Sequence, residues 1–462
     1  MTLNEYVDSI KNKRIGVIGI GVSNTPLIEL LASSGCDVTA HDKNYRETLG
    51  EKAAKLEALG VKLVLGPDYL DGLDYDVIFR TPGLHPGTPQ LAAAREKGCI
   101  MTSEMEAFFA LCPCHIIAIT GSDGKTTTST VISELLKAEG KKVHLGGNIG
   151  KPLLTEIPGI SPDDWVVLEL SSFQLHSMKC CPDVAVITNI SPNHLDVHPS
   201  YEDYIDAKRS IFRLQNSSCR LVLNLDNDIT KGFADVAKSD VRFFSRRQPV
   251  TNGVFLKDGM IYASNECEVR SILPQTEIRI PGAHNVENYM AAFAATEGIV
   301  SDSSFRSVAH EFAGVRHRLE IIRKLNGVTY CNDSIASSPT RTIAGLRSFN
   351  KKVILIAGGY DKHIPFNQLG DEICRHVKAL FLTGFTSGKI REAVSNSIEY
   401  SPNELPIYEI DDFREAVLAA HAYSREGDIV LLSPACASFD KFKNFAQRGD
   451  TFRDIILGLE EK

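Results

Sequence analysis

Three things are missing from this sequence, and each absence removes a class of function. No apolar run approaches the ~20 residues that a bilayer-spanning helix requires. Residues 1–14 hold no apolar stretch of the kind a secretory signal needs. No cluster of Lys and Arg marks a nucleic-acid footprint: the net charge is −8, and the basic pair Lys351-Lys352 merely leads into an apolar stretch. The cysteines number eleven and stand mostly alone. Their two close pairs, Cys112/Cys114 and Cys180/Cys181, have no second pair at zinc-site spacing, so reduced, packed thiols are expected. No low-complexity tract or internal repeat of ~20–50 residues is present. What remains is a cytoplasmic enzyme, expected to be a monomer that acts on small molecules.

What is there comes in three blocks. A chain of 462 residues with 43% hydrophobic and 23% charged residues can bury several cores. Apolar strands alternate with helical spacing throughout. They are expected at 14–18, 36–41 and 75–79, at 116–119, 142–145, 165–170, 184–188 and 221–224, and at 328–331, 352–356, 379–383 and 428–432. This pattern predicts an α/β protein of three domains. Residues 1–104 read as Rossmann-like. Residues 105–303 read as a P-loop ATPase-type, mostly parallel sheet, and residues 304–462 as a second Rossmann-like domain. Within 241–280, short β-type runs with the pairs Asn252-Gly253 and Asp258-Gly259 predict a small antiparallel appendage.

The stretch I-I-A-I-T-G-S-D-G-K-T-T-T-S-T at 116–130 carries the most chemistry. Apolar residues run into a glycine-bracketed loop, and Lys125-Thr126 then opens a helix-compatible segment. Such a loop turns backbone N–H groups and a helix N-terminus toward one point, which suits a triphosphate. Gly121, Ser122, Asp123, Gly124, Lys125, Thr126 and Thr127 are therefore the expected ATP loop. Lys125 would neutralise phosphate charge, and the Thr126 hydroxyl would ligate Mg²⁺. Glu169 closes another strand, and beside such a loop a strand-end carboxylate reads as a Mg²⁺ ligand. Near the N-terminus, Gly19-Ile20-Gly21 follows a strand, and Asp42 stands where a ribose-binding acid would lie. Asn24 replaces the third glycine of the dinucleotide fingerprint. That turn leaves open an NAD-dependent oxidoreductase, another nucleotide, or a bare strand-to-helix turn.

Taken together, several motifs resemble the Mur ligase family. They are the loop at 120–127, Gly146-Gly147-Asn148-Ile149-Gly150, Glu169-Leu170-Ser171-Ser172-Phe173-Gln174, and the T-N-I run at 188–190 with His194-Leu195-Asp196 and Lys208 downstream. The runs Pro281–Asn288 and Arg316–Glu320 add to the likeness. The run 432–449, with Pro434-Ala435-Cys436-Ala437-Ser438 and Gln447-Arg448-Gly449, is similar to that of the Mur ligases that add D-glutamate. The resemblance implies ATP-dependent ligation of D-glutamate to UDP-N-acetylmuramoyl-L-alanine through an acyl phosphate, a step of peptidoglycan synthesis.

It also implies roles for individual residues. Lys125, His194 and Lys208 would be catalytic. Thr126, Glu169, His194 and a carbamylated Lys208 would hold two Mg²⁺ ions, although alone Lys208 reads as a helix-surface lysine within 204–212. Asn285, Asn288, Arg318 and Asp333 would contact ATP. Gly21, Val22, Ser23, Asp42, Thr81, Gly83, Asn148 and Ser171 would bind the UDP-substrate. His194, Ser337, Lys362, Ser438 and Phe445 would receive D-glutamate, with Lys362 supplying the cation, while Cys436 reads as a packed residue. One departure stands out: many relatives carry D-S-K-A-T-N where this chain has Asp333-Ser334-Ile335-Ala336-Ser337-Ser338. The rival readings are an L-alanine-adding Mur ligase, folylpolyglutamate synthetase and, in another class, the NAD-dependent oxidoreductase.

Overall fold

The computed structural model describes residues 1–192, 197–265, 267–362 and 364–460. It divides into two compact units, Met1–Gln275 with Glu287–Val308, and Thr276–Val286 with Ala309–Lys462.

The first unit contains two sheets. One is built from β1 (Arg14–Ile18), β2 (Asp37–Asp42), β3 (Lys62–Leu65), β4 (Val77–Phe79) and β5 (Ile100–Thr102), in the order β3-β2-β1-β4-β5 and parallel throughout. The order reverses direction between β1 and β4, so the loops after these two strands open a crevice at their carboxyl ends. Both strands are apolar because helices cover both faces of a parallel sheet. Ile15, Val17, Ile18 and Phe79 have no exposed surface.

The second sheet comprises β6 (His115–Thr120), β7 (Val143–Gly147), β8 (Trp165–Glu169), β9 (Val184–Ile187), β10 (Arg220–Asn224), β11 (Asp240–Ser245), β12 (Gly253–Lys257), β13 (Met260–Ser264) and β14 (Val269–Pro274). Its order is β14-β13-β12-β11-β10-β9-β6-β8-β7. The pairs from β7 to β12 are parallel, and β13 pairs antiparallel with both β12 and β14. The 241–280 segment is therefore not a separate appendage. Asp258-Gly259 does close an antiparallel hairpin, but Asn252-Gly253 opens β12 parallel to β11. Gly253 sits at φ +135°, and a Cβ there would collide with the Phe243 carbonyl oxygen. An Asn-Gly pair signals positive φ; only the neighbouring strand decides which way the chain then runs.

The second unit holds β15 (Glu320–Leu325), β16 (Val328–Asn332), β17 (Val353–Ala357), β18 (Val377–Leu382), β19 (Ile407–Glu409) and β20 (Ile429–Leu432), in the order β15-β16-β20-β17-β18-β19. Only β15 is antiparallel, to β16. The central neighbours β16, β20 and β17 bring the loops that follow them to one edge of this sheet. Strands β3, β5, β15 and β19 are absent from the sequence expectation. They are short or lie toward sheet edges, and β3 has no fully buried residue, so they carry no long apolar run.

Candidate active site

The loop after β6 is held in shape from outside. Ser122 N donates to the Asn189 carbonyl (2.9 Å), Asp123 N to Asn189 Oδ1 (3.0 Å), and Thr188 Oγ1 to the Asp123 carbonyl (2.5 Å). The Ser122 hydroxyl meets the Ser191 backbone and the Tyr204 hydroxyl, each at 2.9 Å. Gly121 and Gly124 have positive φ, +149° and +81°; side chains there would collide with Thr188 Oγ1 and Asn288 Oδ1. Gly124 is the N-cap of the helix Lys125–Ala138, and no side chain caps that helix. Its first-turn N–H groups thus remain available to an anion at the loop. Lys125 folds back to donate to the carbonyls of Gly121 (3.0 Å) and Ser122 (2.9 Å). Asn288 accepts from Thr128 Oγ1 at 3.3 Å and so stands beside this loop.

Glu169 ends β8, the neighbour of β6. Its Oε1 accepts from Asn148 Nδ2 (2.9 Å), whereas Oε2 is buried with no hydrogen-bond partner among the described residues. A buried carboxylate oxygen without a donor is costly. A cation shared with the Thr126 hydroxyl and a phosphate would satisfy it, so the residues present fit Mg²⁺. Lys208, far from lying on a helix surface, is 1% exposed. Its Nζ donates to the Gly121 carbonyl (2.8 Å) and Thr120 Oγ1 (3.3 Å) and lies over the Tyr204 ring. Burial, reinforced by the nearby Lys125 charge, pushes the amine's pKa far below the usual lysine value. His194 lies outside the described residues.

The loops after β1 and β4 face the ends of β7 and β8. A cleft of about 240 Å³ is lined by Val22, Ser23, Pro82, Gly147, Asn148, Gly150, Pro152 and Gln174. Three residues expected at the UDP-substrate, Val22, Ser23 and Asn148, meet there. Thr81 and Gly83 flank Pro82. Asp42 turns inward, Oδ2 accepting from Ile20 N (2.7 Å) and Oδ1 from Asn44 N (2.8 Å). Asn24, in place of the third glycine, donates to the Ile18 carbonyl at 2.9 Å. Ser171 accepts from Gln174 N and so caps the short helix Ser172–Leu175.

Sequence reasoning missed Arg80, which is 2% exposed. Its guanidinium donates to the carbonyls of Thr81 (3.1 Å), Pro82 (3.2 Å), Leu84 (2.5 Å) and Phe173 (3.2 Å) and to Ser177 Oγ (2.9 Å). One planar fork thus fixes the loops on both sides of the cleft. An arginine directly before a Thr-Pro-Gly turn was the only available signal.

In the second unit, the loops after β16, β17 and β20 are bound to one another. Tyr360 N donates to the Ala437 carbonyl (2.9 Å) and Ser334 Oγ to the Phe445 carbonyl (2.8 Å). Buried Arg448 ties Ser334, Cys436 and Ala437 together through four hydrogen bonds. Ser337 and Ser438 belong to these loops, Phe445 opens the helix Phe445–Leu457, and Lys362 is an exposed cation on the loop after β17. Cys436 is packed inside, its thiol pushed up to about 11 by burial. Asn285 donates to the Pro281 carbonyl at 2.5 Å. Asp333 accepts from Ser433 Oγ (2.7 Å) and Leu319 N (3.3 Å). Burial raises its pKa from 3.8 to about 7, against those two hydrogen bonds and the positive field of Arg318 and Arg341.

The chain matches the Mur ligase middle domain over residues 119–296 and the Mur ligase, glutamate ligase domain over residues 317–436. It is 52% identical, over 99% of both chains, to the UDP-N-acetylmuramoylalanine–D-glutamate ligase of Acetivibrio thermocellus. The protein of the same name from Ruminiclostridium cellulolyticum is 50% identical, again over 99% of both. The chain belongs to the Mur ligase family. Among solved structures it is similar to the UDP-N-acetylmuramate-alanine ligase of Thermotoga maritima, with TM-score 0.58 and 18% identity over 96% of this chain and 99% of that one. The MurF ligase of the same organism, in complex with ADP, gives TM-score 0.56 and 18% identity over 97% and 96%. At such identity these two show the fold alone, a three-domain arrangement of mostly parallel α/β sheets.

The Asp333 carboxyl yields a stability test. Its folded pKa of about 7 lies above the unfolded one, so its contribution is full below about pH 4 and is lost as pH rises through 7. In Asp333→Asn, the amide keeps an acceptor for Leu319 N, and Ser433 Oγ can turn to Thr342 Oγ1, 3.0 Å away. The melting temperature of this variant, measured from pH 5 to 8, should fall less steeply than that of the parent. An equal slope would place the titration elsewhere.

Proposed function

We propose that the chain joins D-glutamate to UDP-N-acetylmuramoyl-L-alanine with cleavage of ATP, a cytoplasmic step of peptidoglycan synthesis. The full-length identity to ligases named for that reaction supports the choice of substrates. The observation that carries the chemistry is the pairing of an uncapped phosphate-loop helix with the unsatisfied, buried Glu169 oxygen. The eleven unpaired thiols fit a reducing compartment, and among the described residues no helix is long and apolar enough to cross a membrane. In this reading the UDP-substrate occupies residues 1–104 and ATP residues 105–303, while D-glutamate is received by 304–462.

The alanine carboxylate attacks the γ-phosphorus, ADP leaves, and an acyl phosphate forms. The amine of D-glutamate then attacks the acyl carbon, releasing phosphate and a proton. Both steps gather anions, so the work is positioning and charge neutralisation. The first-turn N–H groups of the helix that begins at Lys125 and the Lys125 ammonium hold the phosphates, with Asn285, Asn288, Arg318 and Asp333 on the remainder of ATP. Mg²⁺, held by Thr126 and Glu169 and at a second position by His194 and Lys208, would draw negative charge from the transferring phosphoryl group.

Lys208 matches the position that is carbamylated in this family. A neutral amine is the form that adds CO₂: its lone pair bonds the carbon, a proton leaves, and a carboxylate-like group remains. Val22, Ser23, Asn148 and the loops around Thr81, Gly83 and Ser171 hold the UDP-substrate. Lys362 would meet a D-glutamate carboxylate, and Ser337, Ser438 and Phe445 would shape its pocket. Ile335 replaces a common lysine, which leaves Lys362 and Lys125 as the cations for this work.

The direct test is phosphate release with UDP-N-acetylmuramoyl-L-alanine, Mg-ATP and a panel of amino acids including both glutamate enantiomers. D-glutamate should support turnover and L-glutamate should be a poor substrate; L-alanine accepted by the unextended UDP-muramate would overturn the assignment. Lys208→Ala should be nearly inactive and partly restored by short-chain carboxylic acids, and full activity of that variant would remove the carbamate. Lys362→Ala should raise KM for D-glutamate far more than KM for the UDP-substrate. A defect confined to the UDP-substrate would move Lys362 out of the amino-acid pocket.

A further inference from the structure

Beside the substrate cleft, and unused by the chemistry above, three ligand-type side chains of the first unit converge: His85, His176 and Asp203. His85 lies on the loop after β4, His176 follows the short helix Ser172–Leu175, and Asp203 is on the helix Tyr201–Arg209. His85 Nε2 and His176 Nε2 are 3.0 Å apart. His176 Nε2 is 2.9 Å from Asp203 Oδ1, and His85 Nε2 is 3.6 Å from Asp203 Oδ2. Bonds of 2.0–2.1 Å at tetrahedral angles put ligand atoms about 3.3 Å apart; the two nitrogens at 3.0 Å and His176 Nε2 to Oδ1 at 2.9 Å lie close to that value, while His85 approaches the other carboxylate oxygen.

With the Gly87 N–H in place, protons do not satisfy this triangle; with it turned away, a proton on His176 Nε2 and a cation both can. If His176 Nε2–H donates to Asp203, His85 Nε2 must accept, which requires the His85 proton on Nδ1. Yet Gly87 N–H points at that Nδ1 from 3.0 Å. If His85 instead carries its proton on Nε2 and donates to His176, then His176 Nε2 and the Asp203 carboxylate meet with no hydrogen between them. A cation accepts all three lone pairs. The Gly87 contact is the one that must yield, and Gly87 is exposed, so its N–H can turn to water.

A supporting layer is also in place. His198 Nδ1 lies 2.6 Å from Asp203 Oδ2, while its Nε2 meets Ser172 Oγ at 2.9 Å and its ring stacks on Phe173. This is the arrangement that orients a ligating carboxylate.

We propose that His85, His176 and Asp203 form a second, transition-metal site, taking Zn²⁺ or a similar divalent ion with water in the fourth position. Two imidazoles and one carboxylate suit zinc and disfavour Mg²⁺, which prefers oxygen octahedra. The side chains are each only partly covered, so an ion can enter from solvent. An ion there would tie the loop bearing Thr81 and Gly83 to the segment bearing Ser171 and Gln174, in parallel with Arg80.

The test is Zn²⁺ and Co²⁺ titration of the full chain, kept reduced with a non-chelating phosphine. Because eleven cysteines also offer thiolates, the parent is compared with His85→Gln and, independently, His176→Gln. The parent should bind one metal equivalent more than either variant. The difference spectrum with Co²⁺ should show d–d bands without thiolate charge transfer, and Zn²⁺ should raise the melting temperature of the parent but not of the variants. His198→Gln should weaken the site roughly tenfold by freeing the carboxylate. Equal stoichiometry and affinity in parent and both variants, or a purely thiolate signature, would overturn the site. None of the three readouts involves ligation, so failure here leaves the proposed reaction untouched, and the converse also holds.

Discussion

The first unit's chemistry depends on the adjacency of β6 and β9. Because these strands pair in parallel, with Thr120 opposite Ile187, residues 120–124 and 188–191 leave the sheet side by side. The second stretch then supplies the hydrogen bonds that the first cannot make with itself. A loop that must present free N–H groups to phosphate cannot use them internally, so its shape has to be imposed by a neighbour. Asn189 and Thr188 do this, accepting from the N–H groups of Ser122 and Asp123 and donating to the Asp123 carbonyl, which leaves the helix N–H groups beyond Gly124 uncommitted. The glycines follow from the same closeness, since a side chain at 121 or 124 would occupy space already taken by Thr188 or Asn288.

From that arrangement follows the character of Lys208. The carbonyl of Gly121 and the hydroxyl of Thr120 receive its hydrogen bonds, but neither carries the charge that would hold a buried ammonium. Burial, with Lys125 nearby, therefore holds its pKa far below the usual lysine value. The same economy of charge recurs in the second unit, where Asp333 is buried among neutral donors and keeps its proton to about pH 7. Two arginines serve a different purpose. Arg80 and Arg448 are each buried against backbone carbonyls rather than carboxylates, and each joins loops arriving from separate strands.

Much of the fold was legible because buried parallel strands are continuous apolar runs, and the runs at 14–18, 184–188, 328–331 and 352–356 all became central strands. Loop chemistry was legible where a short motif carries its own geometry, as at 120–127. The edge strands β3 and β19 were not, since half-exposed residues leave no periodic mark. Nor was the course of 241–280, because Asn-Gly states a backbone angle and not a partner strand.

By itself, the sequence determined the continuously apolar strands of the three sheets, the glycine turns of the phosphate loop, and the side chains at the ends of those strands. These are local properties, set by neighbours within a few residues. Only the tertiary structure decided that Lys208 is a buried amine rather than a surface one, that Glu169 keeps an unsatisfied oxygen, that Arg80 spans the cleft, and that His85, His176 and Asp203 share one point. Each of these depends on desolvation or on convergence between segments distant in the chain. Such effects arise from packing through space, for which a one-dimensional pattern has no term.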